Sequence, residues 1–258
     1  MPQPIISSAA DSTTLKLFPA GGVTTSQDWL EIADAAREFA DSNVYLAAHS
    51  SMELHGITDD QGAIQRLEGT SLHTSACRVV ASPLDSRARE LARVIGQAVP
   101  ESTTDKLLVG VDAGDGAIAG QNPHVCVHVD SSSSQVRVNT ADSEILTTVT
   151  EAPQEVAKLL QAFDVSSLED KQPQTSALPI GWLADHMPEG RVELGVGVYQ
   201  GIVSADIAEL LGRMEVPVSI TPWRSLVLHD LAEGDADVVV RVLAPRGLIF
   251  DASSPFLT

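Results

Sequence analysis

Cysteine is nearly absent: Cys77 and Cys126 are the only two in the chain. Two thiols this far apart make neither a disulfide framework nor a four-thiolate metal site. Basic residues are also few, 16 Lys and Arg against 35 Asp and Glu, giving a formal net charge of -19. A field of that sign repels phosphate backbones and anionic lipid, so nucleic acid and membrane are set aside as partners. It also means that any anionic ligand must be held by a local cluster of the few bases. No run approaches the roughly 18 apolar residues of a membrane span, and no basic stretch precedes an apolar core at the N-terminus, so the expected location is the cytoplasm. The hydrophobic share of 43% over 258 residues suits one large or two small globular domains with a sizeable core.

What the chain does have is a repeat. Val44 to Ile57, VYLAAHSSMELHGI, returns without a gap at Val218 to Leu231, VSITPWRSLVLHDL, placing Leu46 over Ile220, Ser51 over Ser225, Met52 over Leu226, Leu54 over Leu228 and His55 over His229. A helical stripe precedes each copy: Trp29, Ile32, Ala33, Ala36 and Ala40 in the first, Ile207, Leu210, Leu211 and Met214 in the second. Upstream of each stripe stand a glycine and a capping residue, Gly22 with Thr25 and Gly201 with Ser204, and Thr25 with Asp28 approximates a capping box. The copies are too far apart for a tandem array. A duplicated strand–helix–strand module split by an insertion explains them, and the hinge between such halves is where a ligand usually lies.

Between the copies, Pro83 and Asp85 introduce a helix with Ala88, Leu91, Ala92, Ile95 and Val99 on one face. Leu107 to Asp112 reads as a buried strand, Val125, Val127 and Val129 as a second, and Val136 with Val138 as a third, joined by Ser131 to Ser134. A helix carrying Val156, Leu159, Leu160 and Phe163 follows, and Ser166 to Pro179 has linker composition. Thr58 to Gly69 reads as a polar connection. The alternation His124-x-Cys126-x-His128 puts three potential metal ligands on one strand face, against the plainer reading of a sheet face with a buried thiol. Asp112 and Asp115 are read as shaping a glycine-rich turn, and His55 and His229 as strand-end residues that satisfy backbone groups.

Five stretches carry a resemblance: GGVTTSQDWLEIADAA, VYLAAHSSMELHGI, CRVVASPL, KLLVGVDAGDG and ITPWRSLVL. Together they resemble the two ferredoxin-like half-domains of the nitrite and sulfite reductase superfamily. Within it, Thr-Pro-Trp-Arg-Ser is most similar to precorrin-3B synthase of aerobic cobalamin biosynthesis. The resemblance spans Leu15 to Phe250. It implies an α/β (α+β) fold in which two half-domains complete one pseudo-two-fold sheet around an inserted α+β subdomain. The expected boundaries are a loose N-terminus over 1–14, a first half-domain over 15–69, an inserted subdomain and linker over 70–179, and a second half-domain over 180–258.

The resemblance also implies chemistry. Precorrins and sirohaem are tetrapyrroles fringed with carboxylates, and a site for either needs several Arg or Lys around an apolar slot. Arg78, Lys106 and Arg224 are the expected carboxylate-holding residues, and His49 and Trp223 the expected walls of the slot. His49 stands where the family carries an arginine, and Leu108 where its sulfite-reducing members carry a second lysine, which argues against sulfite or nitrite as substrate. The family reaction is that of a monooxygenase: oxygen is activated at iron, and the precorrin ring is hydroxylated and closes a lactone. A C-terminal domain of these enzymes supplies cysteines for a [4Fe-4S] cluster, which bridges to sirohaem in the reductases. This chain is expected to lack that domain and to hold no such cofactor alone. Three readings stay open: a precorrin-3B synthase-like oxidoreductase, truncated, whose unaided activity is left open; a non-catalytic tetrapyrrole-binding protein or one subunit of a split redox enzyme with a cysteine-rich partner; and a sulfite or nitrite reductase-like protein.

Overall fold

The computed structural model describes residues 5–9, 12–72, 77–100, 103–130, 133–163, 178–185 and 187–257. Residues 166–177 of the linker-like stretch, and Ser131 and Ser132 of the serine loop, lie outside the described residues. The chain divides into two compact units. One contains Phe18–Gly22 and the described part of His73–Ala177; the other contains the described parts of Pro4–Leu17, Val23–Leu72 and Leu178–Thr258. Among the described residues no helix is long and apolar enough to cross a membrane.

The first copy of the module runs β1 (Ile5–Ala9), β2 (Ser12–Leu17), β3 (Val23–Thr24), α1 (Ser26–Phe39), β4 (Asn43–Leu46), β5 (Met52–His55) and α2 (Asp60–Leu67). The N-terminal stretch expected to be loose thus enters two paired strands, with Ile5 opposite Lys16 and Ala9 opposite Ser12. The polar connection after Ile57 also gains structure. Asp59 caps it by accepting from the Gly62 N–H at 3.1 Å, and Ala63 and Leu67 are buried, so a short apolar face suffices for α2. In α1 the capping box forms in both directions, and Trp29, Ile32, Ala33 and Ala36 are buried as the spacing predicts.

The inserted unit consists of β6 (Arg78–Ala81), α3 (Ser86–Ala98), β7 (Leu108–Asp112), β8 (Val125–Val129), β9 (Gln135–Asn139), β10 (Glu144–Thr148) and α4 (Ala152–Ala162). Its sheet has the order β10-β9-β8-β7-β6. β6, β7 and β8 are parallel and the rest antiparallel. Asp85 caps α3 by accepting from the Ala88 N–H at 2.7 Å. The apolar face of α3 and Val156 and Leu160 of α4 share a core with Val79, Val109, Val127 and Val138.

The second copy comprises β11 (Gly181–Leu183), β12 (Arg191–Val198), β13 (Ile202–Ser204), α5 (Ala205–Arg213), β14 (Val218–Ile220), β15 (Leu226–Ala232), α6 (Glu233–Leu243) and β16 (Leu248–Ile249). The duplication is visible in the backbone: Ser50 and Arg224 occupy equal positions and share φ of 59° and 61°, and Gly56 and Asp230 do the same at 69° and 54°.

The two copies build two sheets, not the single sheet expected. One has the order β1-β2-β5-β4-β13 and the other β11-β12-β15-β14-β3. Each copy sends its short strand before the helix into the other copy's sheet: Thr24 pairs with Val218, and Val203 pairs with Val44. The tight turn ahead of each short strand makes the crossing. Its two central residues are left-handed, Gly21 and Gly22 in the first copy and Gln200 and Gly201 in the second. Both copies then share one core, in which Trp29, Ile32 and Leu54 meet Val196, Ala208, Leu211 and Leu228.

α5 lies close against α1. A Cβ on Gly212 would stand 2.7 Å from Leu30 Cγ and 2.9 Å from the Ser26 carbonyl, so only glycine fits there. This close approach rotates the buried face of α5 to Ala205, Ala208, Leu211 and Gly212, leaving the predicted Ile207 and Leu210 half-buried. The exchange is fastened by Thr24. Its hydroxyl donates to the Val218 carbonyl at 2.7 Å and accepts from the Trp29 indole N–H at 2.8 Å, all three residues being buried. Thr24→Val keeps the shape and strands both partners. It should lower the unfolding free energy by about 2–3 kcal/mol, read as a shifted urea midpoint at unchanged m-value.

Candidate functional site

Two five-residue loops at equal positions of the copies dominate one place in the larger unit: Ala47–Ser51 between β4 and β5, and Thr221–Ser225 between β14 and β15. The same backbone bond closes each, Ala47 N–H to the Ser51 carbonyl and Thr221 N–H to the Ser225 carbonyl, both at 2.8 Å. The His49 N–H donates to the Pro222 carbonyl at 3.3 Å, which joins loop to loop. Three of the five-residue positions are left-handed without being glycine: His49 (φ 58°), Ser50 (φ 59°) and Arg224 (φ 61°). Such a conformation costs about 1–2 kcal/mol per residue and collects where the surroundings enforce it, functional sites above all.

Packing explains part of the enforcement. A Cβ on Gly201 would meet the Leu46 carbonyl at 2.7 Å and the Arg224 Cβ and Cδ at 3.6 Å, so the Arg224 stem lies over a bare backbone. Arg224 is exposed, and among the described residues its guanidinium has no hydrogen-bond or ion-pair partner. Arg137 and Lys106 are exposed in the same state. Arg37, Arg66, Arg93, Arg191, Arg213 and Arg241 all pair with carboxylates. Beside it, Trp223 is half-buried and its Nε1 has no acceptor, and the Oγ of Ser50, a residue only 1% exposed, has no partner. The structure therefore places His49, Trp223 and Arg224 on two loops joined by a backbone hydrogen bond, with Ser50 and Gly201 beside them. Sequence reasoning missed Ser50; the gapless alignment of the two copies, which sets Ser50 over Arg224, is the signal that could have found it.

Arg78 and Lys106 belong to the other unit, where they meet at the start of the parallel strands. The Arg78 guanidinium donates to the Lys106 carbonyl at 3.2 Å and the Arg78 N–H to the Leu107 carbonyl at 3.2 Å. Arg78 thus braces β6 against the entry to β7, and the Lys106 side chain is exposed.

The three candidate metal ligands on or beside β8 are committed elsewhere. His124 Nδ1 accepts from the Leu108 N–H at 3.0 Å, and His128 Nδ1 stands 4.0 Å from Asp112 Oδ1. Burial pushes the Cys126 thiol up to about 12, away from the thiolate a metal needs. Among the described residues no group of three or more His, Cys, Asp or Glu could hold a metal ion. The buried Asp112 carboxylate is filled by the turn itself: Oδ1 accepts from Gly114 and Gly116 N–H at 2.7 and 3.3 Å, Oδ2 from Ile118 and Ala119 at 3.0 and 2.9 Å. Burial likewise raises the Cys77 thiol to about 12. At pH 8.5 an ordinary exposed thiol is about half ionised, and one at 12 roughly one part in a few thousand. Both cysteines should resist alkylation by iodoacetamide at that pH in the native chain and react only after unfolding.

His55 and His229 contact side chains, where the sequence suggested backbone groups. His55 Nε2 lies 2.9 Å from Glu53 Oε2, and its ring stacks on Tyr45 at 4.0 Å. His229 is buried with Nδ1 2.6 Å from Glu193 Oε1 and Nε2 2.8 Å from Ser219 Oγ. This Ser–His–Glu order has the connectivity of a hydrolase triad. Ser219, however, sits in the middle of β14 with its hydroxyl already paired to His229, and the three groups brace β12, β14 and β15 together. His229→Ala strands a buried carboxylate and should cost about 3–5 kcal/mol. His55→Ala, at the same position of the other copy but at the surface, should cost under about 1 kcal/mol in the same urea titration.

With the geometry in place, comparison adds three findings. Residues 8–63 match the model of the nitrite/sulfite reductase ferredoxin-like half domain. No curated protein matches the sequence. A solved structure titled as that of the Mycobacterium tuberculosis NirA protein superposes with a TM-score of 0.73 at 14% identity, over 93% of this chain and 57% of that one. The fold is therefore a mixed α+β architecture of the NirA kind containing the ferredoxin-like half domain, and this chain spans little more than half of that relative.

Proposed function

We propose that the chain binds a polycarboxylated tetrapyrrole, as a precorrin-3B synthase-like protein of aerobic cobalamin biosynthesis. The observation that carries this reading is Arg224: an exposed arginine in left-handed backbone, without an acidic partner among the described residues of a strongly acidic chain. It lies within the Thr-Pro-Trp-Arg-Ser stretch whose resemblance favours the precorrin enzyme. Arg224 supplies a charge-assisted hydrogen bond to a carboxylate, Trp223 and His49 supply flat side chains for the macrocycle, and Arg78 and Lys106 are further carboxylate-holding candidates. The reductase reading is supported only at the level of the half domain and the fold.

The residues present do not fit an iron–sulfur cluster. Such a cluster takes about four thiolates, and the two thiols here are buried and held protonated. No oxidative step is therefore assigned to this chain's own groups. That disagreement favours, as a second reading, a tetrapyrrole-binding subunit whose cysteine-rich partner supplies the redox centre.

Titration with uroporphyrin, a porphyrin bearing only carboxylate side chains, tests the proposal by the shift of its main visible-region absorption band. Saturable one-to-one uptake is expected, and Arg224→Ala should weaken it about 10–100-fold, the worth of a charged hydrogen bond, at an unchanged melting midpoint. Absence of any shift at micromolar protein would refute tetrapyrrole binding.

A further inference from the structure

Resting on the tetrapyrrole reading, we infer that Ser50 Oγ and Trp223 Nε1 are ligand-contacting donors, one from each copy of the module, and that together they select a carboxylate oxygen. The hydroxyl and the indole nitrogen are both buried and both without a hydrogen-bond partner among the described residues. Buried polar atoms are nearly always paired, and leaving one unpaired costs about 1–3 kcal/mol. Two such atoms occur here on loops bonded to each other, and each lies one residue beyond a partner of the His49–Pro222 bond.

Neither atom has a return within the described fold. Ser50 bears a second penalty, since its φ of 59° would suit glycine better and alanine would remove the orphaned hydroxyl. The chemistry of the two groups narrows what completes them. An indole N–H only donates, and a hydroxyl can donate, so one acceptor atom or one pair of acceptor atoms satisfies both. Arg224, the residue following Trp223 and equivalent in position to Ser50, adds a positive charge without a counter-ion. A carboxylate offers two acceptor oxygens with a negative charge, whereas a neutral ring edge or an amine offers less. The inferred arrangement is a clasp across the internal duplication, with the hydroxyl from the first copy and the indole N–H and guanidinium from the second.

Ser50→Ala and Trp223→Phe test this, because each removes one donor, the first with little change of shape and the second keeping a smaller aromatic ring. In the ligand-free chain both variants should unfold at the parent's urea midpoint or above it. In the uroporphyrin titration each should bind about 5–10-fold more weakly than the parent. Variants that unfold earlier yet bind like the parent would show that the two groups are satisfied inside the fold, for instance by an ordered water, and would overturn the assignment. Equal binding by parent and variants at equal stability would overturn it as well, with tetrapyrrole binding intact. A parent chain that takes up no uroporphyrin would remove the tetrapyrrole reading together with this inference.

Discussion

The architecture of the larger unit depends on a reciprocal loan of strands. Each copy gives the short strand ahead of its helix to the other's sheet, so that neither sheet is complete alone and the two helices are drawn against each other over one core. A few residues enforce the exchange: a tight left-handed turn before each short strand, Thr24 fixing β3 to β14 through Val218, and Gly212 admitting Leu30. The loops at the far ends of β4 and β14 then come together as a consequence of the pairing. Three left-handed non-glycine residues, His49, Ser50 and Arg224, and two unpaired buried polar atoms lie on these loops, which meet at His49 and Pro222.

Duplication gives each loop position two tenants, and the copies have diverged in informative ways. Gly21 becomes Gln200 and Gly56 becomes Asp230, so the second copy bears left-handed backbone on side-chain-bearing residues, and Asp230 is held there by Arg191. The half-buried His55–Glu53 pair of the first copy stands where the second has the buried His229–Glu193–Ser219 brace. Ser50 faces Arg224 across the alignment as a small buried hydroxyl against a long exposed cation. One copy thus carries a small buried hydroxyl and the other a long cation, so a symmetric frame ends in two chemically different loops.

Much of this was legible in the residues. Periodicity marked α1, α3, β7 and β8, and the gapless repeat marked the paired loops, because local spacing and local identity suffice for both. Strand exchange was not legible: Val23–Thr24 and Ile202–Ser204 are too short to carry an alternating pattern, and pairing between segments some 180 positions apart depends on tertiary packing. α2 was masked by its polar composition, with a buried face of only Ala63 and Leu67. The His124-x-Cys126-x-His128 pattern left a ligand reading open because alternation fixes the face of a side chain but not its partner, here the Leu108 N–H for His124. Unpaired donors such as Ser50 Oγ and Trp223 Nε1 leave no trace in sequence, since their state is defined by what fails to surround them.

The central claim is that the two duplicated loops act as one ligand-holding clasp. Amide hydrogen exchange read by peptide, with and without saturating uroporphyrin, addresses it most directly. Slowed exchange in both 46–52 and 220–226 is the expected result, since a ligand held by donors from each copy must quiet both loops at once. Protection confined to one of the two stretches, or found only around Arg78 and Lys106, would contradict it.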